Sequence, residues 1–124
     1  VRQRLVRIEG YVKAHLFSSY RQLTNDVRGR SSGSLVLVNK LNYTNIGQEI
    51  AKLSLDLLGD DGMLDPAGYD REPGEPPSGA EGWLVQNMWS LGVAIAGGTA
   101  NIQRNVIAER GLGLPRDAAA QRSK

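Results

Sequence analysis

The stretch SLVLVNKLNYTNIGQEIAKLSLDLL, residues 34–58, decides how this chain folds. Its opening, Ser34-Leu35-Val36-Leu37-Val38, is rich in β-branched side chains and taken alone reads equally well as a strand. The continuation selects a helix. Leu35, Val38, Asn42, Ile46, Ile50, Leu53 and Leu57 keep steps of three and four, sustained over about 24 residues where a typical strand runs about 5 or 6. Gly59 stops the helix, and Asp60, Asp61 and Gly62 extend the turn. Asn42 interrupts the apolar stripe and is expected to hydrogen-bond to a neighbouring helix.

Toward the N-terminus the same period returns. Leu5, Ile8, Val12, Leu16, Tyr20, Leu23 and Val27 recur at steps of three and four, with Arg4, Arg7, Glu9, Lys13 and Arg21 mostly between them. This spacing predicts a long amphipathic helix over 2–27. Gly10 costs that helix about 1 kcal/mol relative to alanine, which its length absorbs. Residues 28–34, with Gly29, Gly33 and three serines, have the chemistry of a helix-to-helix turn.

Toward the C-terminus, residues 65–79 carry Pro66, Pro73, Pro76 and Pro77 among glycines, which predicts an exposed loop. A third helix follows over 81–95. Its stripe is Leu84, Met88, Leu91 and Ile95, while Trp83, Val85, Trp89 and Val93 fill other faces, so burial on more than one side is expected. Gly97 and Gly98 end it. Thr99 is placed to N-cap a short helix through about Arg110, which Gly111, Gly113 and Pro115 stop, and the tail 117–124 is expected to fray. The fold class is therefore all-α, an antiparallel bundle of three long helices and a short C-terminal one.

Composition narrows the functional classes. At 124 residues and 40% hydrophobic content the chain suffices for one compact domain and not for two. It begins at Val1 with no signal-peptide pattern and is read as the excised end of a longer protein. No apolar run reaches the roughly 18 to 20 residues that span a bilayer, so a soluble chain is expected. With no cysteine and one histidine, His15, no zinc or redox-metal cluster is expected. A formal charge of +2, without a basic stripe or interleaved aromatics, argues against nucleic acid.

Two places have the local chemistry of a site. At Gly97-Gly98-Thr99, a double glycine feeds a helix start whose N–H groups suit a phosphate or carbonyl oxygen; the alternative is a plain helix-to-helix turn. At Leu58-Gly59-Asp60-Asp61-Gly62, the alternative is a glycine C-cap with solvated acids, too short for a calcium loop. His15 is read at the solvent side of the first helix or at its border, and no Gly-x-Ser-x-Gly elbow supports a serine nucleophile.

Three motifs carry a resemblance. Gly97-Gly98-Thr99-Ala100-Asn101-Ile102-Gln103-Arg104, closed by Glu109-Arg110-Gly111-Leu112-Gly113-Leu114-Pro115-Arg116, resembles the C-terminal segment of acyl-CoA dehydrogenases, which reads aromatic, Glu, Gly, Thr, then Ser-Glu-Ile-Gln-Arg and an Ala-Glu-Arg-Val-Leu-Gly-Leu-Pro ending. Ser54-Leu55-Asp56-Leu57-Leu58-Gly59-Asp60-Asp61-Gly62 is similar to the family's helix end and turn, often Gln-x-x-Gly-Gly-x-Gly. Val1-Arg2-Gln3-Arg4-Leu5 looks like the start of a helix with Arg-Gln-Arg-Leu-Ala.

The resemblance implies a C-terminal helical domain over 1–116, with a loop at 59–80, a disordered tail at 117–124 and the first helix of the bundle lacking. It implies a FAD-dependent enzyme of fatty acid metabolism that removes the α and β hydrogens of an acyl-CoA thioester. A carboxylate takes the α proton, hydride passes to the flavin, and an electron-transfer flavoprotein reoxidises it. The remaining domains, a homo- or heterotetramer and a cytoplasmic location follow from the same source, while the fragment alone is expected to be inactive. Thr99 and Asn101 fall where the family contacts FAD. Asp56, Gly59 and Asp60 fall where a neighbouring subunit touches the ADP half, with Asp56 in place of Gln and Asp60 in place of the second Gly. Ala96, Gly97 and Gly98 fall in the substrate pocket. Gly97 stands where the family often has its Glu base, and Ala96 where it has an aromatic, so no catalytic residue is assigned here. The preferred reading puts the base on a helix outside this chain. The alternatives are a FAD-sharing subunit of a mixed assembly without a base, and a non-enzymatic helical interaction module.

Overall fold

The computed structural model describes residues 1–63, 76 and 78–116. The expected frayed tail and most of the proline-rich loop lie outside the described residues. Helix α1 is Arg2–Val27, α2 is Ser34–Leu58, α3 is Gly79–Ile95 and α4 is Ala100–Val106. A 3-10 turn, Gly59–Met63, follows α2, and a π turn, Ile107–Gly111, follows α4. No strand occurs among the described residues, so the all-α expectation holds.

The turn between α1 and α2 closes as glycine permits. Arg30 N–H donates to Asn25 O at 2.8 Å and Gly29 N–H to Asp26 O at 3.0 Å, with Gly29 at φ +62°, the paired bonds of a left-handed helix stop. The chain reverses there. Cross-helix partners then run in antiparallel order, with Gln22 meeting Asn39, Arg7 meeting Glu49 and Arg4 meeting Asp56. The α2–α3 pair is antiparallel too, since Lys40 reaches Ala94 while Thr44 and Gly47 lie beside Ser90 and Gln86.

Helix α2 packs against every other element, whereas α1 and α3 meet it separately. The result is an open layer with α2 in the middle. Among the described residues the buried apolar side chains are Ile8 of α1, Ala51 and Leu53 of α2, and Leu84 of α3.

Here the structure corrects the helical stripes. Of the α1 stripe only Ile8 is buried, and of the α3 stripe only Leu84. The sides turned to α2 carry small and polar groups instead. Ser18 and Ser19 hydroxyls bond back to the carbonyls of Ala14 and His15, and the buried Thr44 and Ser90 to Lys40 and Asn87, so none is left unsatisfied at the contact. Gln22 and Asn39 exchange amide hydrogen bonds at 3.0 and 2.9 Å. Asn39, not Asn42, thus makes the interhelical amide bond, because Gln22 of α1 stands opposite it. On the outside, Lys13 pairs with Glu9 at 2.6 Å and holds its carboxyl below the ordinary range.

Leu5, Val12, Leu16 and Leu23 are exposed, and at about 100° per residue they lie roughly a quarter turn from the line through Ile8, His15 and Gln22. In α2 the row Val36, Tyr43, Ile50 and Leu57 is set off from its α1 contact in the same sense; Ile50 is half-buried and the others are exposed. Because the helices are antiparallel and right-handed, both rows face the same side of the layer. Trp89 continues that face on α3, beside Tyr43. Met88, Leu91 and Ile95 are exposed elsewhere on α3, so the expected burial on several sides is not met within this chain.

Leu53→Ala should lower stability by about 2–5 kcal/mol, since a cavity replaces a side chain 4% exposed. Gly10→Ala, with nothing within 4 Å of the added Cβ, should raise stability by about 0.5–1 kcal/mol. Denaturant unfolding measures both, and a neutral Leu53→Ala would count against this core.

Candidate functional site

The corner between α3 and α4 is built by two successive glycines. Ala96 ends α3 with φ −58° and ψ 134°, and its N–H donates to Gly92 O at 3.0 Å. Gly97 and Gly98 then take φ +66° and +99°, a path that side chains disfavour. A Cβ at Gly98 would also be crowded, 3.1 Å from Gln103 Nε2 and 3.3 Å from Ile102 Cγ2. At Gly97 a Cβ would meet nothing within 4 Å, so Ala96 and Gly97 form an open, small-residue wall.

Thr99 is the N-cap of α4 by its extended backbone, and its carbonyl accepts from Gln103 N–H at 2.9 Å. Its exposed side chain makes no capping bond, so the hydroxyl is not spent on the helix it precedes. Asn101 is exposed, with Oδ1 accepting from Arg104 at 3.2 Å. The glycine carbonyls are both engaged: Gln103 Nε2 donates to Gly97 O at 2.7 Å, and Lys40 Nζ to Gly98 O at 2.7 Å and Ala94 O at 3.2 Å. Lys40 is a residue the sequence reading passes over. Its only signal was a cation amid the apolar run Val36-Leu37-Val38-Asn39-Lys40-Leu41.

Asp56, Gly59 and Asp60 gather at the other end of α2. Gly59 takes φ +56° and its N–H donates to Leu55 O. Asp60 and Asp61 are exposed in the 3-10 turn, while Gly62 is pressed against Leu55 Cδ2, 3.3 Å from where a Cβ would stand. The Asp56 carboxylate is met by the Arg4 guanidinium, which offsets the charge of this turn. Sixteen residues of α2 separate Asp56 from Lys40 under the first corner, about 24 Å at 1.5 Å per residue. One chain therefore presents two separate places, not one.

The last helical turn differs from expectation. The α-helix ends at Val106 and a π turn carries the chain through Gly111, with Leu112 N–H donating to Ile107 O at 3.0 Å. The close approach of Gly111 to Ser34 and Leu37, where a Cβ would lie 3.3 and 3.4 Å away, seats this wider turn on α2. His15 stands at the border of α1 rather than on its solvent side. It lines a groove of ≈ 520 Å³ between α1 and α2 with Arg7, Asn45, Glu49 and Lys52, and its Nδ1 is buried with no hydrogen-bond partner. Among the described residues no three His, Cys, Asp or Glu side chains group as metal ligands, and no helix is long and apolar enough to cross a membrane.

Residues 1–112 match the family model described as acyl-CoA dehydrogenase, C-terminal domain. The chain is 33% identical over 117 residues to acyl-CoA dehydrogenase IpdE1 of Mycolicibacterium smegmatis, covering 94% of this chain and 26% of that protein. It is 37% identical over 81 residues to acyl-CoA dehydrogenase IpdE1 of Mycobacterium tuberculosis, covering 65% of this chain and 18% of the relative. The chain thus spans about a quarter or less of these relatives' length. No solved structure matches it significantly.

Gly98→Ala should cost about 1–2 kcal/mol from the left-handed backbone alone, and should also dislodge Gln103 from Gly97 O. Thermal unfolding tests this. An unchanged midpoint would mean that the corner is not held in the geometry described.

Proposed function

The chain belongs to the acyl-CoA dehydrogenase family, whose C-terminal domain it matches over residues 1–112, and on that premise we propose that it forms the cofactor- and substrate-facing end of a FAD-dependent enzyme that dehydrogenates an acyl-CoA thioester between Cα and Cβ. The observation that carries this reading is the α3–α4 corner, where an uncommitted Thr99 hydroxyl stands beside a wall of Ala96, Gly97 and Gly98. The donor set and the open space suit a planar, oxygen-bearing ring. Thr99 and Asn101 would hold the flavin, which when bound supplies the two-electron acceptor for the reaction.

The second place fits the same group once Arg4 is counted. Asp56 and Asp60 alone would repel a pyrophosphate, but the Arg4 guanidinium pairs Asp56 and keeps further N–H donors in its fork. Gly59 leaves the backbone open to close approach. Lying about 24 Å from the first corner, Asp56, Gly59 and Asp60 would serve the cofactor of a neighbouring subunit. The exposed rows of α1 and α2 are the faces that the rest of such a homo- or heterotetramer would cover. An electron-transfer flavoprotein as electron acceptor and a cytoplasmic setting complete the proposal.

The base lies outside this chain in this reading. Gly97 offers no carboxylate, and its φ of +66° is a backbone state that a glutamate would enter at a cost of about 1–2 kcal/mol. The residue is thus built into the turn as glycine. With Ala96 beside it, the wall leaves room for a bulky or branched acyl group.

In the intact enzyme, Thr99→Val should weaken FAD retention roughly ten- to a hundredfold, the worth of a hydrogen bond to a strongly polar group, about 1.5–3 kcal/mol. Equal flavin affinity in equilibrium titration would reduce Thr99 to a backbone cap.

Turnover tests the wall and the base together. Wild-type enzyme should favour a branched or ring-bearing thioester over a straight C4 one, and a tenfold preference for the C4 substrate would leave Ala96 as a packing substitution only. Gly97→Glu should lower activity or move its pH optimum upward, because a second carboxylate raises the pKa of one member of the pair. Activity appearing in a previously inactive protein would instead identify a baseless subunit of a mixed assembly.

A further inference from the structure

We propose that Lys40 is a positioning residue for the α3–α4 corner: its ammonium, set between the last carbonyls of α3 and the carbonyl of Gly98, fixes the path on which Thr99 and Asn101 are presented. This deepens the cofactor reading above and rests on it for the functional consequence. The physical argument does not. Lys40 is half-buried in the N-terminal half of α2, and none of the ion pairs among the described residues includes it. Its partners are carbonyl oxygens 54 and 58 residues away, Ala94 O at 3.2 Å and Gly98 O at 2.7 Å.

Burying a cation without a carboxylate is costly, so an apolar side chain would serve packing better at this point of α2. What the lysine supplies is geometry. The C-terminal carbonyls of a helix lack intrahelical donors and carry partial negative charge, which an ammonium with three N–H groups meets. Gly97 and Gly98, at φ +66° and +99°, are the two residues in the corner with the most backbone freedom. Each of their carbonyls is tied by one side chain, Gly97 O by Gln103 from α4 and Gly98 O by Lys40 from α2. Gln103 belongs to the helix that the turn leads into and moves with it. Among the described residues, Lys40 supplies the side-chain hydrogen bonds that tie the turn to the central helix, at two glycines that have no side chains of their own.

Hydrogen exchange of the intact protein tests this directly. In Lys40→Met, amides of residues 97–103 should exchange at least roughly tenfold faster, while those of Ala51 and Leu53 stay protected, as expected for a local opening. Lys40→Arg, which keeps a cation and several donors, should recover most of the protection. In the flavin-loaded enzyme, Lys40→Met should shift the visible flavin band and lower kcat with KM held. Should Lys40→Met fail to fold, Lys40→Gln, too short to span both carbonyls, takes its place. Unchanged exchange at 97–103, or faster exchange spread evenly along α2, overturns the proposal. A wild-type protein that holds no flavin would sink the cofactor reading alone, and the exchange comparison would still decide the role of Lys40.

Discussion

Everything in this layer hangs on the close contact of α2 with helices on two sides. Ala51, fully buried, and Thr44 and Ser90, buried with hydroxyls turned back onto their own helices, allow that approach. Large apolar side chains at these points would force the helices apart. The consequence is that α1 and α3 bring mostly small and polar groups to α2, with Ile8 and Leu84 buried among them, while Leu5, Leu16, Leu23, Met88, Trp89 and Leu91 are exposed. Among the described residues only four apolar side chains are buried, few beside the exposed rows of α1, α2 and α3.

The same central helix organises the two candidate places. At its N-terminal half, Lys40 and Leu37 receive the α3–α4 corner and the π turn; at its C-terminal end, Asp56 and Gly59 meet Arg4 and the 3-10 turn. Their separation along α2 turns a sequence puzzle into a geometric statement. Residues 56–60 and 96–101 cannot grip one part of one small molecule within a single chain, and under the proposed function they would serve different copies of the cofactor. Arg4 matters for the same reason, since it offsets one of the three carboxylates, Asp56, Asp60 and Asp61, and carries spare donors.

Gly97 is informative for what its backbone does. A deleted carboxylate leaves a position where any residue fits, whereas φ +66° marks one where glycine is favoured. The wall of Ala96, Gly97 and Gly98 is therefore a shaped feature of the corner, held from α4 by Gln103 and from α2 by Lys40.

The sequence by itself determined the local events. Period and glycine placement set the bounds of α1 and α2, the stop at Gly59 and the double-glycine break after α3, because each depends on a residue and its near neighbours. The all-α class followed from those same patterns. Only the tertiary structure decided which face of each helix is covered. An amphipathic stripe records that a partner exists, not which one, and so the stripes through Leu16 and Leu91, both exposed here, do not say what covers them, nor does the pattern show that His15 lines the groove between α1 and α2. Tertiary packing also decided that Asn39 rather than Asn42 crosses to α1, that Arg4 answers Asp56, and that Lys40 reaches Gly98. These contacts join residues 17 to 58 positions apart, a separation at which local spacing carries no signal.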